Sequence, residues 1–288
     1  MPVDAVLDNP AVTLREAGTS YSLSPVGAAG LYQKPAGFYL DYPGNPTSPG
    51  CTYDSDYQAL ASKYPAVVYA HIQGEAGFDG FALQYWFFYY INDWNNKHEG
   101  DWEMIQVIFS APTAEAALEQ EPVGVTYAQH GSAQRANWSD SALQKDGDHP
   151  LVFVSTGSHS SQMAAAQFIG KGESGSGLGC DDSSAASRLV TPNVALMPST
   201  VVSGTDPFAW LNYDGQWGQK LSGENDGPTG PNTKTQWTRP LSWDRSQHTG
   251  SLRLPEQLAF GGSGLGFFCG AMRVGSVFYL QASNQPIV

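Results

Sequence analysis

The chain has few basic residues, and they form no cluster. Lysine and arginine number 14 against 27 acidic residues among 288, which gives a formal net charge of −13. Binding to the phosphate backbone of nucleic acids needs clustered Lys and Arg, so we expect no nucleic-acid partner. The acidic excess favours a bound cation over a bound anion, although an ordinary solvated surface carries the same excess.

Cysteine is also scarce. The three cysteines are Cys51, Cys180 and Cys269, and no CxxC pair occurs, which argues against a cysteine zinc site. An odd count permits one disulfide and one free thiol. Cys180 and Cys269 both lie in turn-like segments bounded by glycine, "GLGCDDSS" and "FFCGAM". We therefore expect those two to pair; the alternative is three reduced, buried thiols.

Long hydrophobic runs and nucleotide-binding or nucleophile motifs are missing as well. No segment reaches the roughly 18–20 apolar residues that span a bilayer, and the start "MPVDAVLDNP" lacks an apolar signal core. We expect a secreted or extracytoplasmic protein whose leader has been removed; a cytoplasmic protein is the alternative. The sequence contains no GxSxG, Walker or Rossmann motif, so nothing marks a nucleophile.

The abundant residues predict a mainly β fold. There are 32 glycines and 19 prolines, which favour many short strands and turns. We predict an antiparallel β-sandwich with long decorated loops and a few short helices, with residues 1–54 as an extended N-terminal arm and 55–288 as a single domain. The strands are expected at 65–72, 80–93, 101–109, 122–131 and 149–159, and the helices at 55–64, 113–120 and 160–169.

Charged residues are concentrated between two apolar segments, in "INDWNNKHEGDWEMIQVIF". The charged or titratable side chains there include Asp93, His98, Glu99, Asp101 and Glu103. In such surroundings they must be solvated, paired or bound to a cation. Alternation along a strand places Asp101 and Glu103 on one face, and a hairpin turn brings Asp93 back beside Asp101.

A divalent cation would relieve the repulsion among these carboxylates; the alternatives are a raised pKa on one of them or neutralisation by Lys97. Oxygen ligands favour Ca²⁺ or Mg²⁺, and a histidine ligand shifts the preference towards Mn²⁺ or Zn²⁺. His130 and His159 each end a predicted strand, and both would line the same cleft if their strands flank the hairpin. Each imidazole is a candidate ligand or acid–base group, or a structural histidine.

The segments "LQYWFFYYINDWNNKHEGDWEMIQV", "YAQHG" and "HPLVFVSTGSH" resemble the vacuolar protein sorting-associated protein 62 family and its bacterial relatives. "GPTGPNTKTQW" and "FFCGA" are similar to its actinobacterial branch. The resemblance covers roughly residues 60–270. That family is named for a trafficking phenotype, so the resemblance implies no chemistry.

A more remote similarity is to the necrosis- and ethylene-inducing peptide-like toxins, whose heptapeptide ends in "HDWE". In those toxins a β-sandwich holds a divalent cation in an acidic cavity. The resemblance implies that the metal ligands here are Asp93, His98, Asp101 and Glu103. Glu99 and Gly100 stand where the toxins have Arg and His, so their ligand shell and sphingolipid headgroup target do not carry over directly.

Three functions remain open at this stage. The first is a non-catalytic module that uses its cation to hold a glycan or glycolipid headgroup, with peripheral membrane contact and sugar stacking on tryptophan. The stacking candidates are Trp86, Trp94, Trp102 and Trp138.

The second is a metal-dependent hydrolase of a phosphodiester or glycosidic bond, acting on a small polar substrate with a metal-activated water. His130 and His159 would be its acid and base, and Glu99 a further proton-transfer group. The third is a structural cation in a trafficking or scaffold protein. We favour the first function because no sequence motif marks a nucleophile. No feature of the sequence predicts an oligomeric state.

Overall fold

The computed structural model describes residues 1–129, 132–171, 178–184, 189–221 and 223–247. The helices are α1 (Asp4–Leu7), α2 (Gly27–Leu31), α3 (Thr52–Ala61), α4 (Ala114–Ala117), α5 (Thr235–Thr238) and α6 (Pro240–Ser246), with 3₁₀ helices at Ala209–Asn212, Gly223–Asn225 and Pro231–Thr233. The strands are β1 (Thr13–Glu16), β2 (Ser22–Leu23), β3 (Phe38–Asp41), β4 (Val67–Gly74), β5 (Phe81–Asn92), β6 (His98–Phe109), β7 (Gly124–Gln129), β8 (Ser132–Asn137), β9 (Lys145–Asp146), β10 (His149–Pro150), β11 (Phe153–Val154), β12 (Ser161–Gln162), β13 (Gln167–Lys171), β14 (Leu178–Asp182) and β15 (Asn193–Leu196).

A six-stranded sheet in the order β15-β4-β5-β6-β7-β8 is the centre of the molecule. Its strands are antiparallel except for the edge pair β15 and β4, which is parallel. The smaller sheets are β2-β1-β3 and the pairs β9-β10, β11-β12 and β13-β14. The prediction of a mainly β fold with a few short helices is confirmed. No helix in the described ranges is long and apolar enough to span a bilayer.

Both faces of the central sheet are buried. On one face, which we call the first core, Trp86 and Trp102 pack with Trp210 and Trp217. On the other, the second core, residues such as Phe87 pack beneath the hairpin β11–β12 and the segment before it. The continuous apolar run of β5 is therefore explained by burial on both sides, as the sequence indicated.

The N-terminal residues contribute to this packing. Residues 1–54 form α1, α2 and the three-stranded sheet β2-β1-β3. Their apolar side chains Leu7, Leu14 and Leu40 are fully buried in the first core. The first core is therefore a joint product of the central sheet and the N-terminal segment.

The helix predicted at 160–169 is wrong. That segment instead forms β12 and the start of β13. Ser161 and Gln162 pair with Val154 and Phe153 in an antiparallel hairpin, and Met163 beyond them is buried in the second core. The local helix propensity of the alanines is overridden by this pairing and burial, as tertiary context often does. The other two helices are present, although α3 begins earlier than predicted, at Thr52.

Candidate functional site

Three of the predicted site residues lie on β6, and a fourth, His159, contacts one of them, Asp101. His98, Asp101, Glu103 and His159 are all buried, with exposed fractions of 7%, 7%, 9% and 5%. We call this group the carboxylate–histidine cluster. Buried charged groups are rare unless they are paired, so each member needs a partner.

His159 is held directly on Asp101. Its Nδ1 lies 3.0 Å from Asp101 Oδ2, and its ring stacks on Tyr89 with centroids 4.0 Å apart and planes within 6°. Tyr89 is the cross-strand partner of Asp101, which explains why one imidazole contacts both. Asp101 therefore occupies one of the two ring nitrogens of His159, Nδ1.

The turn that carries His159 is strained. His159 has φ of +56°, and Gln33 is the only other non-glycine residue with a positive φ in the part of the chain that the structure describes. The turn lies between β11 and β12 and is closed by the His159 N–H donating to Ser155 O at 3.0 Å. Residues held in this region cost free energy and cluster at functional sites.

Two further contacts fix the turn against its neighbours. Ser158 Oγ donates a short hydrogen bond to Asp181 Oδ1, on β14. The Asp93 N–H donates to Gly157 O at 3.0 Å, which joins the turn to the β5–β6 loop. Sequence reasoning missed Asp181, and only its "CDDSS" context, with two adjacent acids before serines, could have drawn attention to it.

His98 is oriented as a neutral imidazole. The Trp94 N–H donates to Asn92 Oδ1 at 3.0 Å, which turns the Asn92 amide nitrogen towards His98 Nε2 at 2.8 Å. Nε2 therefore accepts, and Nδ1–H donates to Gly100 O at 2.8 Å; this tautomer is assigned from the network. Burial lowers the pKa of His98, against the opposite effect of the nearby Asp101.

The predicted metal ligands do not form a metal-binding group as they lie. Asp93 makes a short ion pair with Lys97, the competing explanation offered by the sequence. Among the described residues, no group of three or more His, Cys, Asp or Glu side chains is arranged to hold a metal ion. His98 Nε2, the nitrogen a metal would need, faces the Asn92 amide. The divalent cation therefore stays a prediction from the sequence.

Glu99 lies on the opposite side of the hairpin from Asp101. It accepts hydrogen bonds from Tyr53 OH at 2.6 Å, the Tyr42 N–H at 3.1 Å and the Gln219 N–H at 2.8 Å. Burial raises its pKa to about 7, although these hydrogen bonds act in the opposite direction. Glu99 therefore joins the N-terminal segment, α3 and a later loop to β6, and it does not share the cluster with His159.

Gly100 explains why Glu99 and Asp101 separate. Strict alternation would put Glu99, Asp101 and Glu103 on one face. Gly100 has φ of +63°, and a Cβ there would lie 2.3 Å from Trp217 O. The left-handed backbone breaks the alternation, so Glu99 turns into the first core. Only glycine fits both the backbone conformation and the close approach.

The tryptophans predicted to stack on a ligand lie in the interior. Trp94, Trp102 and Trp138 are each less than one-tenth exposed. Trp102 stacks on Trp210 at 5.6 Å in the first core, and Trp138 belongs to the second core, where the Lys145 ammonium lies 4.5 Å from its ring centre. Their large apolar area is used for core packing, so the described arrangement does not support the stacking prediction.

Two predictions fall outside the described residues. His130, the second acid–base candidate, belongs to the undescribed positions, and so does Cys269 of the predicted disulfide. Cys51 is a free, exposed cysteine.

A row of polar side chains that sequence reasoning missed crosses the central sheet. His71, Gln84, Gln106, Thr126 and Arg135 are successive cross-strand partners from β4 to β8. We call this the polar row. The signal in the sequence was weak, because Gln84 interrupts an apolar run in β5 whereas Arg135 lies in the mostly polar strand β8.

The polar row binds the segment of α5 and α6. Gln84 Nε2 donates to Gln236 O at 2.6 Å, and Gln106 Nε2 donates to Pro240 O at 3.0 Å. Arg135 pairs with Asp244 at 2.8 Å. Buried polar groups are usually paired in this way, and the row therefore fixes where the two helices lie on the sheet.

No protein-family model matches the chain, and no curated protein matches it. Solved structures do match part of it. It is similar to NLPPya in complex with glucosamine, at 18% identity and a TM-score of 0.28 over 35% of this chain and 45% of that one. It is similar to Necrosis and Ethylene inducing Protein 2 from the causal agent of cocoa's witches' broom disease, at 19% identity and a TM-score of 0.30 over 54% of this chain and 57% of that one.

A third similar structure is the non-toxic HaNLP3 protein, at 19% identity and a TM-score of 0.28 over 35% of this chain and 47% of that one. The chain thus covers about half the length of these structures. The resemblance to the sorting-associated family stays a prediction from its motifs.

Proposed function

We propose that this protein is a binding module that recognises a polar glycan or a glycolipid headgroup at the carboxylate–histidine cluster. The observation that supports this proposal is the 3.0 Å contact between His159 and Asp101, which joins residues 58 positions apart through a strained turn. Strain of this kind persists where the surroundings over-determine a functional geometry. An extracytoplasmic location and peripheral contact with a glycolipid surface belong to the same proposal.

The chemistry of the cluster favours a ligand rich in hydrogen-bond donors. Asp101 and Glu103 supply carboxylate acceptors, and ionised carboxylates form stronger hydrogen bonds than neutral groups do. Sugar hydroxyls, and the ammonium group of an amino sugar, match such acceptors. A phosphate or sulfate ligand would be repelled by the same carboxylates, and the net charge of −13 adds to that repulsion.

The test is calorimetric titration with glucosamine and mannosamine, compared with glucose and mannose. We expect the amino sugars to bind more tightly, because their ammonium groups pair with the carboxylates. Asp101→Asn and His159→Gln should each weaken binding about tenfold or more. The matched control is Asp148→Asn, which makes the same chemical change at an exposed turn. Equal affinity in Asp101→Asn and Asp148→Asn would refute the proposal.

The predicted divalent cation is part of the same experiment. Elemental analysis of the purified protein and of Asp101→Asn measures whether a metal copurifies. Calcium or magnesium present in the parent protein and absent from the variant would support a cation at Asp101. No metal in either protein would refute the divalent cation at Asp101, and the proposal of sugar binding would then depend on the titrations.

A hydrolase is the second candidate, and one contact favours it. A carboxylate that holds Nδ1 of a histidine orients the imidazole and leaves Nε2 for proton transfer. The Asp101–His159 pair has this arrangement. A panel of phosphodiester and glycoside substrates tests it: turnover that disappears in His159→Gln, with the unfolding midpoint unchanged, would favour catalysis over binding.

A further inference from the structure

A separate pocket lies beside the first core, on the side of the sheet that carries the polar row. Its volume is about 460 Å³, within the roughly 300–1,000 Å³ typical of small-molecule sites. Four parts of the chain build it: the segment after α2, the segment after β15, the 3₁₀ helix at Ala209–Asn212 with its extension, and the stretch that ends in α5. The residues that define its chemistry are Gln33, Thr200, Asn212, Asp214, Asn232 and Trp237.

Its lining contains amides, hydroxyls and one carboxylate, and it contains no Lys, Arg or His. Phosphates and other anions need cationic or backbone N–H partners, which this lining does not offer as side chains. Neutral amides and hydroxyls instead pair well with hydroxyl groups. The wall formed by Leu211 and Trp237 supplies the apolar contact that the C–H face of a sugar or polyol needs.

The tryptophan wall is held rigidly by the polar row. The Trp237 ring lies parallel to His71, with centroids 3.6 Å apart. His71 Nδ1 is in turn 3.0 Å from Gln84 Oε1. Gln84 Nε2 also donates to the backbone oxygen of Gln236, the residue before Trp237. A preorganised wall lowers the ordering cost of binding.

The amides of the pocket are also oriented. Asn212 Nδ2 donates to Val201 O at 2.9 Å, so its Oδ1 is the end left for other partners. Asn232 Nδ2 donates to Tyr213 O at 3.3 Å, while Asn232 Oδ1 is buried and has no hydrogen-bond partner among the described residues. A buried acceptor without a donor is costly. Because Asn232 Oδ1 has almost no accessible surface, Asn212 Oδ1 is the oriented amide acceptor of this lining.

Backbone strain marks this pocket as it marks the cluster. Gln33 lines the pocket with φ of +56°, and His159 is the other non-glycine residue of this kind in the described ranges. Each of the two therefore lies at one of the two candidate sites. We propose that this pocket binds an uncharged, hydroxyl-rich small molecule of the sugar or polyol class, independently of the carboxylate–histidine cluster.

Calorimetric titration with glucose and cellobiose tests the pocket, with glucose 6-phosphate as the anionic comparison. At least one of the two neutral sugars should bind saturably. The phosphate should bind about tenfold more weakly than glucose, because Asp214 repels it and no cation compensates. No saturable binding of either neutral sugar, or equal binding of the phosphate, would overturn the assignment.

Variants at the exposed rim locate the binding. Thr200→Trp fills the pocket, and we expect it to weaken sugar binding about tenfold or more. Ser199→Trp fills it from the neighbouring position and guards against a folding defect in the first variant. The control is Val202→Trp, since Val202 is 86% exposed and does not line the pocket. Binding that both rim variants weaken and that Val202→Trp leaves unchanged would assign the sugar to the pocket; unchanged affinity in both rim variants would refute the pocket.

Discussion

At the scale of single residues, three consecutive positions have different structural roles. Glu99 anchors the first core, Gly100 reverses the direction of the side chains, and Asp101 holds His159. The sequence indicated that Asp101 and Glu103 leave the same face, because alternation fixes that. The sequence could not indicate that the Glu99 side chain leaves the opposite face. That direction depends on the close approach of Trp217 to Gly100, and the two residues are more than a hundred positions apart.

Replacement of Gly100 tests this account of the backbone. Gly100→Ala should lower the free energy of unfolding by several kcal/mol, because a left-handed alanine costs about 1–2 kcal/mol and its Cβ would also lie 2.3 Å from Trp217 O. Gly147→Ala is the matched control: its φ is +58°, and a Cβ there meets nothing within 4 Å. Urea unfolding of both variants measures the difference, and equal losses would contradict the close approach.

The raised pKa of Glu99 predicts a pH dependence of stability. The folded protein keeps the Glu99 proton up to a pKa of about 7, whereas the ordinary value is 4.5. Between these values the folded state binds more protons, so the free energy of unfolding falls as pH rises. At about 1.36 kcal/mol per pKa unit, this contribution amounts to about 3 kcal/mol.

Urea unfolding between pH 5 and pH 8 compares the wild type with Glu99→Gln. The variant has no titratable group at position 99, so its free energy of unfolding should fall less steeply over that pH range. Glu119→Gln, at an exposed position, should retain the wild-type slope. A Glu99→Gln slope identical to that of the wild type would show that Glu99 stays ionised throughout.

At the scale of elements, local pattern predicted the hairpin well. The apolar run of β5, the charged turn and the alternating β6 all lie close to where the sequence placed them. Local sequence pattern could not predict where α5 and α6 pack on the sheet. The hydrogen bonds that fix it join residues 134 and 152 positions apart, and no local periodicity encodes contacts of that range.

The polar row should be essential for that docking. Gln106→Leu removes the donor to Pro240 O and the acceptor for Gln84 Nε2. Leaving such buried groups unpaired costs about 1–3 kcal/mol each. We expect faster hydrogen exchange in residues 235–246, measured by mass spectrometry, and a lower unfolding midpoint. Gln120→Leu, at an exposed position, should change neither, and unaltered exchange in Gln106→Leu would contradict the role of the row.

At the scale of the whole molecule, the composition predicted the fold class but not which distant segments come together. Abundant glycine and proline with short apolar runs predicted a mainly β protein, and the structure confirms this. The two candidate sites are each built from segments far apart in sequence. His159 and Trp237 are each positioned by a partner on the central sheet, Asp101 and His71 respectively. The sequence identified His159 as a candidate from its motif, but it did not identify Trp237.

The joint first core predicts that the N-terminal segment is needed for global stability. Leu7→Ala should cost about 2–5 kcal/mol, because Leu7 is fully buried. Leu118→Ala, at a side chain that is 83% exposed, should cost little. Thermal unfolding of both variants measures this. Similar midpoints for the two would mean that residues 1–54 are not part of the cooperative unit.

Binding of a sugar headgroup at the carboxylate–histidine cluster, as proposed here, should change the imidazole signals of the histidines. Proton–nitrogen NMR spectra of His159 and His98 are recorded while glucosamine is added to the wild type and to Asp101→Asn. We expect a saturable shift of the His159 signals in the wild type that is lost in the variant. His159 signals that do not move, or that move equally in both proteins, would contradict it.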